Sequence, residues 1–300
     1  MISTPLPTIE NEHLLCEKIK KNDIDGFNQI IDSCFVKTDT KWQKEDLLGL
    51  IKYLDLTSLS STDNNDSIKS LIEKSEFDYN DVKYLVAGVC VFPNFLPLIK
   101  DLCRDKGLKT IVVAGGFPFS QMPLEVKKEE VRYALEFGAD EIDVCINRGM
   151  FLGGDIQGVA NEIREIKNLI KTYSDDVKLK VILEVGELRT YSNIYSAAKV
   201  ALESGADFIK TSTGKSQKGA DVYSVCVMLL VLREFYKASG ELRGLKVAGG
   251  ISRSEDALCY RDLFEAFFGK FDGNQYFRIG CSGLLENMKD DINETMSDET

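Results

Sequence analysis

The chain has 300 residues, of which 44% are hydrophobic and 28% charged, close to the averages of folded globular proteins and far from disordered, collagenous or membrane compositions. Its 37 basic and 48 acidic side chains leave a net charge of −11, which speaks against nucleic acid or an anionic membrane as partner, since both need a basic footprint. A single histidine, His13, excludes histidine triads and multi-histidine metal sites, so acid–base work falls to Asp, Glu, Lys, Tyr or Cys.

In chain order, residues 1–50 carry helical periodicity near Leu14–Ile19 and Phe27–Phe35 and read as a helical extension packed on a larger body. The first residues have neither a basic region nor an apolar leader, and the longest wholly apolar run, Val225 to Leu232, is far below the roughly 18 residues of a membrane span. The expected compartment is the cytosol.

From Tyr53 the pattern becomes short β-branched or apolar runs separated by amphipathic stretches. The candidate strands are Tyr53–Leu56, Val86–Phe92, Thr110–Ala114, Glu141–Ile146, Lys180–Glu184, Phe208–Thr211, Leu245–Ala248 and Phe277–Gly280. Helices are predicted between them, among others over Lys127–Phe137, Gly158–Thr172, Ile194–Ser204, Val222–Ser239 and Ser254–Phe268. Eight strand–helix units without a composition break predict one (β/α)8 TIM barrel over residues 51–289, followed by an acidic tail at 290–300. A doubly wound open sheet is the alternative, but it would carry a glycine fingerprint after its first strand, and none is present.

The net charge divides unevenly along the chain. Residues 1–50 hold 6 basic and 9 acidic side chains and residues 290–300 hold 0 and 5, leaving 31 against 34 in the barrel. A near-neutral barrel can take an anionic ligand. The eight cysteines contain no CxxC pair and sit mostly in apolar runs, as buried reduced thiols do.

An internal repeat aligns Ala134–Asp143 with Ala201–Lys210, each leaving a helix at a glycine and entering a strand. The offset is two barrel units, so Asp143 and Lys210 should point inward at the same height on the fourth and sixth strands. Charges buried there are costly unless paired or put to use, and a structural Asp–Lys ion pair would also suit the spacing. Lys246 on the seventh strand adds a second cation beside Lys210. Two ammonium groups in proximity oppose each other's protonation, so one should titrate below the ordinary value of about 10.4, as a nucleophilic amine requires. Glycines follow the last three strands, in Thr213-Gly214-Lys215, Gly249-Gly250 and Gly280-Cys281-Ser282-Gly283. The last two are expected to open helices and supply free backbone N–H groups where barrels seat phosphate.

Leu54-Asp55-Leu56-Thr57, Val89-Cys90-Val91-Phe92-Pro93, Ala114-Gly115-Gly116-Phe117-Pro118, Glu141-Ile142-Asp143-Val144, Gly186-Glu187-Leu188, Asp207-Phe208-Ile209-Lys210-Thr211-Ser212-Thr213-Gly214-Lys215 and Ala248-Gly249-Gly250 together resemble the deoxyribose-phosphate aldolase family, in its eukaryotic branch. The resemblance spans roughly residues 50–288. It implies a class I aldolase of deoxyribonucleotide catabolism that reversibly cleaves 2-deoxy-D-ribose 5-phosphate into D-glyceraldehyde 3-phosphate and acetaldehyde. It also implies no metal or other cofactor. Lys210 would form the Schiff base, with Asp143 and Lys246 as proton relay. Asp55, Thr57, Cys90, Thr211 and Thr213 would line the sugar, and Gly214, Lys215, Gly249, Gly250 and Ser282 would hold the phosphate.

The implied partners are therefore a small phosphorylated sugar and, by family analogy, further copies of the chain. The alternatives are another Schiff-base barrel enzyme of transaldolase type and a non-catalytic sugar-phosphate binder. Four positions depart from the family: Ser252 stands where many members carry Arg, with Arg253 one place later, Gly283 replaces a hydroxyl residue, Val185 replaces a frequent Thr, and the chain ends without the tyrosine of some bacterial members.

Overall fold

The structure is a computed structural model that describes residues 6–35 and 42–294; the final residues of the predicted acidic tail, 295–300, lie outside them. Helices α1 (Glu12–Lys20), α2 (Ile24–Cys34) and α3 (Lys44–Leu50) precede β1 (Leu54–Thr57) and α4 (Asn65–Glu73). A hairpin, β2 (Glu76–Tyr79) and β3 (Val82–Leu85), leads to β4 (Gly88–Val91), α5 (Leu96–Lys106), β5 (Lys109–Ala114), α6 (Leu124–Glu136) and β6 (Glu141–Cys145). Then come α7 (Arg148–Leu152), α8 (Ile156–Tyr173), β7 (Lys178–Ile182), α9 (Tyr191–Glu203), β8 (Phe208–Lys210) and α10 (Val222–Ser239). The chain finishes with β9 (Gly244–Ala248), α11 (Ser254–Phe268), β10 (Phe277–Cys281) and α12 (Leu284–Glu294), whose last turn enters the stretch read as tail.

β1 and β4 to β10 close into one parallel barrel, with β1 pairing β4 on one side and β10 on the other. Each of the eight predicted runs overlaps one of these strands. The largest displacement is at β7, which ends at Ile182, two residues before Glu184 leaves the extended region for a left-handed conformation, φ 59°. The β2–β3 hairpin has no counterpart among the predicted elements. Its reversal uses Asn80 and Asp81, both at positive φ, in a two-residue turn of the kind usually marked by Asn-Gly or Asp-Gly.

The internal repeat proves to be a structural clamp. Gly138 and Gly205 end α6 and α9 in left-handed conformations. Asp140 and Asp207, two residues on, then accept the backbone N–H of Thr110 and of Leu179, each at 2.8 Å. Each aspartate thereby ties the start of its own strand to the preceding one, at the end of the barrel away from its carboxyl mouth.

The uniformly apolar run in α10 is explained by its neighbours: Val225 to Leu232 are all buried, since α1 and α2 cover the face that solvent would otherwise meet. Leu15, Ile19, Phe27 and Ile31 supply that cover, each contributing about 1.5–3 kcal/mol of burial. Phe27 packs on Tyr191 of α9, and Arg233 of α10 reaches back to Glu12 and to the carbonyl oxygens of Pro7 and Phe267. His13 lies exposed on α1, far from any chemistry. All eight cysteines carry free thiols, and five are buried. Among the described residues no helix is long and apolar enough to cross a membrane.

Candidate active site

Seven charged side chains meet inside the barrel: Asp55 of β1, Glu141 and Asp143 of β6, Lys180 of β7, Lys210 of β8, Lys246 of β9 and Arg278 of β10. Their strand neighbours, such as Leu54, Ile142, Leu179, Ile209, Leu245 and Phe277, are buried apolar residues of the main core, so strand alternation turns the charged positions inward. Register then sets their height. Lys180 lies opposite Asp143, Lys210 opposite Lys246, and Lys246 opposite Arg278.

Six of the seven form a closed ring of alternating charge. Lys246 Nζ lies 2.7 Å from Asp55 Oδ2 and 2.8 Å from Asp143 Oδ2. Lys180 Nζ lies 3.0 Å from Asp143 Oδ1 and 2.5 Å from Glu141 Oε2. Arg278 closes the circuit, at 2.7 Å from Glu141 Oε1 and 2.6 Å from Asp55 Oδ1. Three cations thus serve all six oxygens of three carboxylates. Lys210 is the fourth cation, attached by one contact of 2.7 Å from its Nζ to Asp143 Oδ2.

The ring holds its own members charged. Burial opposes the ionised form of Asp143, but the ammonium groups of Lys180, Lys210 and Lys246 outweigh it and hold the carboxyl well below the usual range. The same contest, won by Lys246, Arg278 and Lys180, depresses Asp55. Burial likewise opposes charge on Lys246, yet Asp143 and Asp55 hold it well above the ordinary lysine value. Lys246 is therefore not the amine that two neighbouring lysines would render neutral.

Above the ring, at the carboxyl ends of the strands, lies a cavity of about 370 Å³. Of the seven charged residues only Lys210 lines it, along with Thr57, Thr213, Gly214, Lys215, Gly249, Gly250, Ser252, Ser282 and Gly283. The N–H groups of Gly214, Gly250, Ser282 and Gly283 have no acceptor among the described residues, so one rim of the cavity offers several free donors. Gly214 and Gly250 hold positive φ, and at Gly249 a Cβ would stand 2.9 Å from Gly219 Cα. Lys215 Nζ donates to the carbonyl of Leu59 at 2.7 Å.

The sequence-predicted residues separate into groups. Lys210, Thr57, Thr213, Gly214, Lys215, Gly249, Gly250 and Ser282 share the cavity; Asp143, Lys246 and Asp55 lie beneath it in the ring. Cys90 does neither. It packs with Leu59, Ile111 and Val113 in the apolar half of the barrel interior, where burial pushes its thiol up. The Thr211 hydroxyl donates to Ala248 O and accepts from Ala248 N, each at 2.9 Å, and so staples β8 to β9 without lining the cavity. Gly283 does precede a helix, α12, but Gly250 does not open one: α11 begins only at Ser254, and the glycine pair is cavity wall. Ser252 occupies that wall, while the exposed Arg253 turns away to form a two-point contact with Asp256. Val185 is buried.

Lys180, Glu141 and Arg278 were not among the predicted site residues, although Leu179-Lys180-Val181 and Phe277-Arg278-Ile279 each place a charge between apolar strand residues, which is the available signal. Glu184 and Arg148 were missed as well. Both are buried, and Arg148 spans to Pro118 O, Glu184 and Glu187.

Residues 99–266 match the family model of the DeoC/LacD family aldolases. The human deoxyribose-phosphate aldolase is 36% identical over 84% of this chain and 82% of its own, and the cattle enzyme 35% over the same shares. Among solved structures, the deoxyribose phosphate aldolase of Aeropyrum pernix, described as a unique tetramer, superposes with a TM-score of 0.65 at 26% identity, covering 83% of this chain and 97% of its own.

Proposed function

The chain belongs to the DeoC/LacD family of aldolases, and from that premise we propose that it is a class I aldolase that reversibly cleaves 2-deoxy-D-ribose 5-phosphate into D-glyceraldehyde 3-phosphate and acetaldehyde. Lys210 is the nucleophile. What supports it most is the place of that side chain: the spare cation of a ring complete without it, and the one charged member that lines the cavity. Bond formation at Lys210 gives up one contact with Asp143, whose two oxygens keep Lys180 and Lys246, so the ring stays closed as the nitrogen reacts.

The Lys210 nitrogen adds to the C1 aldehyde carbon, and the carbinolamine loses water to leave a protonated imine. Asp143 and Lys246, which share the oxygen that Lys210 contacts, relay protons to and from the reacting centre through water. Loss of the proton from the C3 hydroxyl breaks the C2–C3 bond; the pair enters the imine as an enamine, and D-glyceraldehyde 3-phosphate departs. The enamine takes a proton at C2, and water then releases acetaldehyde and the lysine. The imine is the electron sink, so no step calls for a metal. The three carboxylates that meet in the barrel are taken up by lysine and arginine.

The phosphate sits on the free N–H groups of Gly214, Gly250, Ser282 and Gly283, with Lys215 as its cation and Gly249 letting the backbone approach. Thr57 faces the sugar; Thr213 borders the cavity, but its hydroxyl is taken up by Glu184 and by the Lys215 N–H. On the likeness to the Aeropyrum pernix tetramer alone, the proposal extends to self-association.

Incubation with 2-deoxy-D-ribose 5-phosphate should release the two aldehydes in equal amounts, unaffected by a chelator. Absence of cleavage, or its loss on chelation, would sink the proposal.

A further inference from the structure

Glu184 sits just beyond β7 at a φ of 59°, a conformation common for glycine and tolerated by asparagine and aspartate but unfavourable for a glutamate unless its surroundings hold it. Its side chain is almost fully buried, yet it does not belong to the charged ring and does not line the cavity. Its carboxylate is instead spent on the turn after β8. It accepts from the Thr213 N–H at 3.3 Å, from the Thr213 hydroxyl at 2.5 Å and from the Ser216 hydroxyl at 3.0 Å. The Thr213 hydroxyl in turn accepts the Lys215 N–H at 3.0 Å. A relay of hydrogen bonds therefore runs from Glu184 through Thr213 to the backbone of Lys215. From behind, the Arg148 guanidinium steadies the carboxylate at 3.5 Å while donating to Pro118 O. The two loops also touch directly, since a Cβ on Gly186 would stand 2.5 Å from Lys218 O.

We infer that Glu184 is a positioning residue that fixes the Thr213–Ser216 turn so that the Gly214 N–H and the Lys215 side chain face the substrate phosphate; this rests on the assignment of Gly214 and Lys215 to the phosphate seat. The Thr213 N–H, the Thr213 hydroxyl and the Arg148 guanidinium donate to this carboxylate, while Ser216, whose one proton also lies 3.0 Å from Lys218 O, can donate or accept; a glutamine would keep the shape of the network but lose the negative charge that strengthens the Thr213 and Arg148 bonds. The turn would loosen at its phosphate end, while the ring beneath Lys210 would keep its contacts.

The test compares wild type, Glu184→Gln and Ser216→Ala on 2-deoxy-D-ribose 5-phosphate and on unphosphorylated 2-deoxy-D-ribose. Glu184→Gln should raise KM for the phosphorylated sugar about tenfold, the scale of one lost charge-assisted hydrogen bond, with kcat held within about twofold. Its kcat/KM on the unphosphorylated sugar should likewise stay within about twofold of wild type. Ser216→Ala removes one donor from a half-exposed position and should shift KM in the same sense by about two- to threefold, so it carries the test if Glu184→Gln does not fold. Equal losses on both sugars, or an unchanged KM for the phosphorylated one, would overturn the inference while leaving the aldolase reading intact. A wild-type protein that cleaves neither sugar overturns both.

Discussion

Replacing Lys210 by methionine should abolish cleavage and yet leave the barrel as stable as before, or more so. The expectation follows from contacts that remain. Asp143 Oδ2 keeps Lys246 at 2.8 Å and Asp143 Oδ1 keeps Lys180 at 3.0 Å, so no carboxylate oxygen of the ring is left without a cation within 3.0 Å. The substitution also turns four cations against three carboxylates into three against three, and it removes a buried ammonium whose desolvation costs several kcal/mol. A gain of about 0–3 kcal/mol is expected from exchanging such an ion for an apolar side chain of similar length.

Lys246→Met is the control of opposite sign. It leaves Asp55 Oδ2 with only Lys180, at 3.5 Å, and breaks the ring at two carboxylates. Breaking a buried pair costs about 3–5 kcal/mol, and at about 2–4 °C per kcal/mol for a domain of this size the melting temperature should fall by roughly 6–20 °C. Calorimetric melting of the two variants beside wild type, with cleavage followed through coupled detection of D-glyceraldehyde 3-phosphate, gives both readouts. If Lys210→Met melts as low as Lys246→Met, Lys210 is part of the ring's support and its description as the spare cation is wrong.

Two further outcomes are expected. Asp55 and Asp143 are depressed in the folded protein and Lys246 is raised. The stability margin of wild type over Lys246→Met should therefore be level from about pH 5 to 9; it should shrink below about pH 4, where the unfolded aspartates take up protons, and again above about pH 10.4, where the unfolded lysine loses its own. Denaturant titrations across that range would detect a slope near neutrality, which would contradict it. Because Ser252 lines the cavity and Arg253 is paired with Asp256, Ser252→Arg should lower KM for the phosphorylated sugar about three- to tenfold, and Arg253→Ala should change it less than about twofold. A large loss in Arg253→Ala would show that this arginine swings onto the phosphate.

The barrel itself was legible because each strand is a short apolar or β-branched run, and parallel strands buried on both faces leave that mark plainly. The Asp143–Lys210 pairing followed from the repeat, since an offset of two units in an eight-stranded barrel returns to the same layer. The ring was harder to see. A lysine in Leu179-Lys180-Val181 reads as an ordinary strand residue until closure sets β1, β6, β7 and β10 around one space, and that depends on register rather than on local pattern. Cys90 and Thr211 carry family positions, but no local pattern reveals that one packs in an apolar cluster and the other spends its hydroxyl on Ala248. Similarly, nothing in Gly249-Gly250-Ile251-Ser252-Arg253 announces that the arginine would prefer Asp256, and the strained backbone at Glu184 has no composition signal because glycine is the residue expected there.

The most direct test of the account is borohydride reduction of the protein in the presence of acetaldehyde, followed by peptide mass mapping. A single N-ethyl adduct on Lys210, absent from Lys210→Met, is predicted; an adduct on Lys246 or Lys215 instead, or none under conditions of turnover, would contradict it.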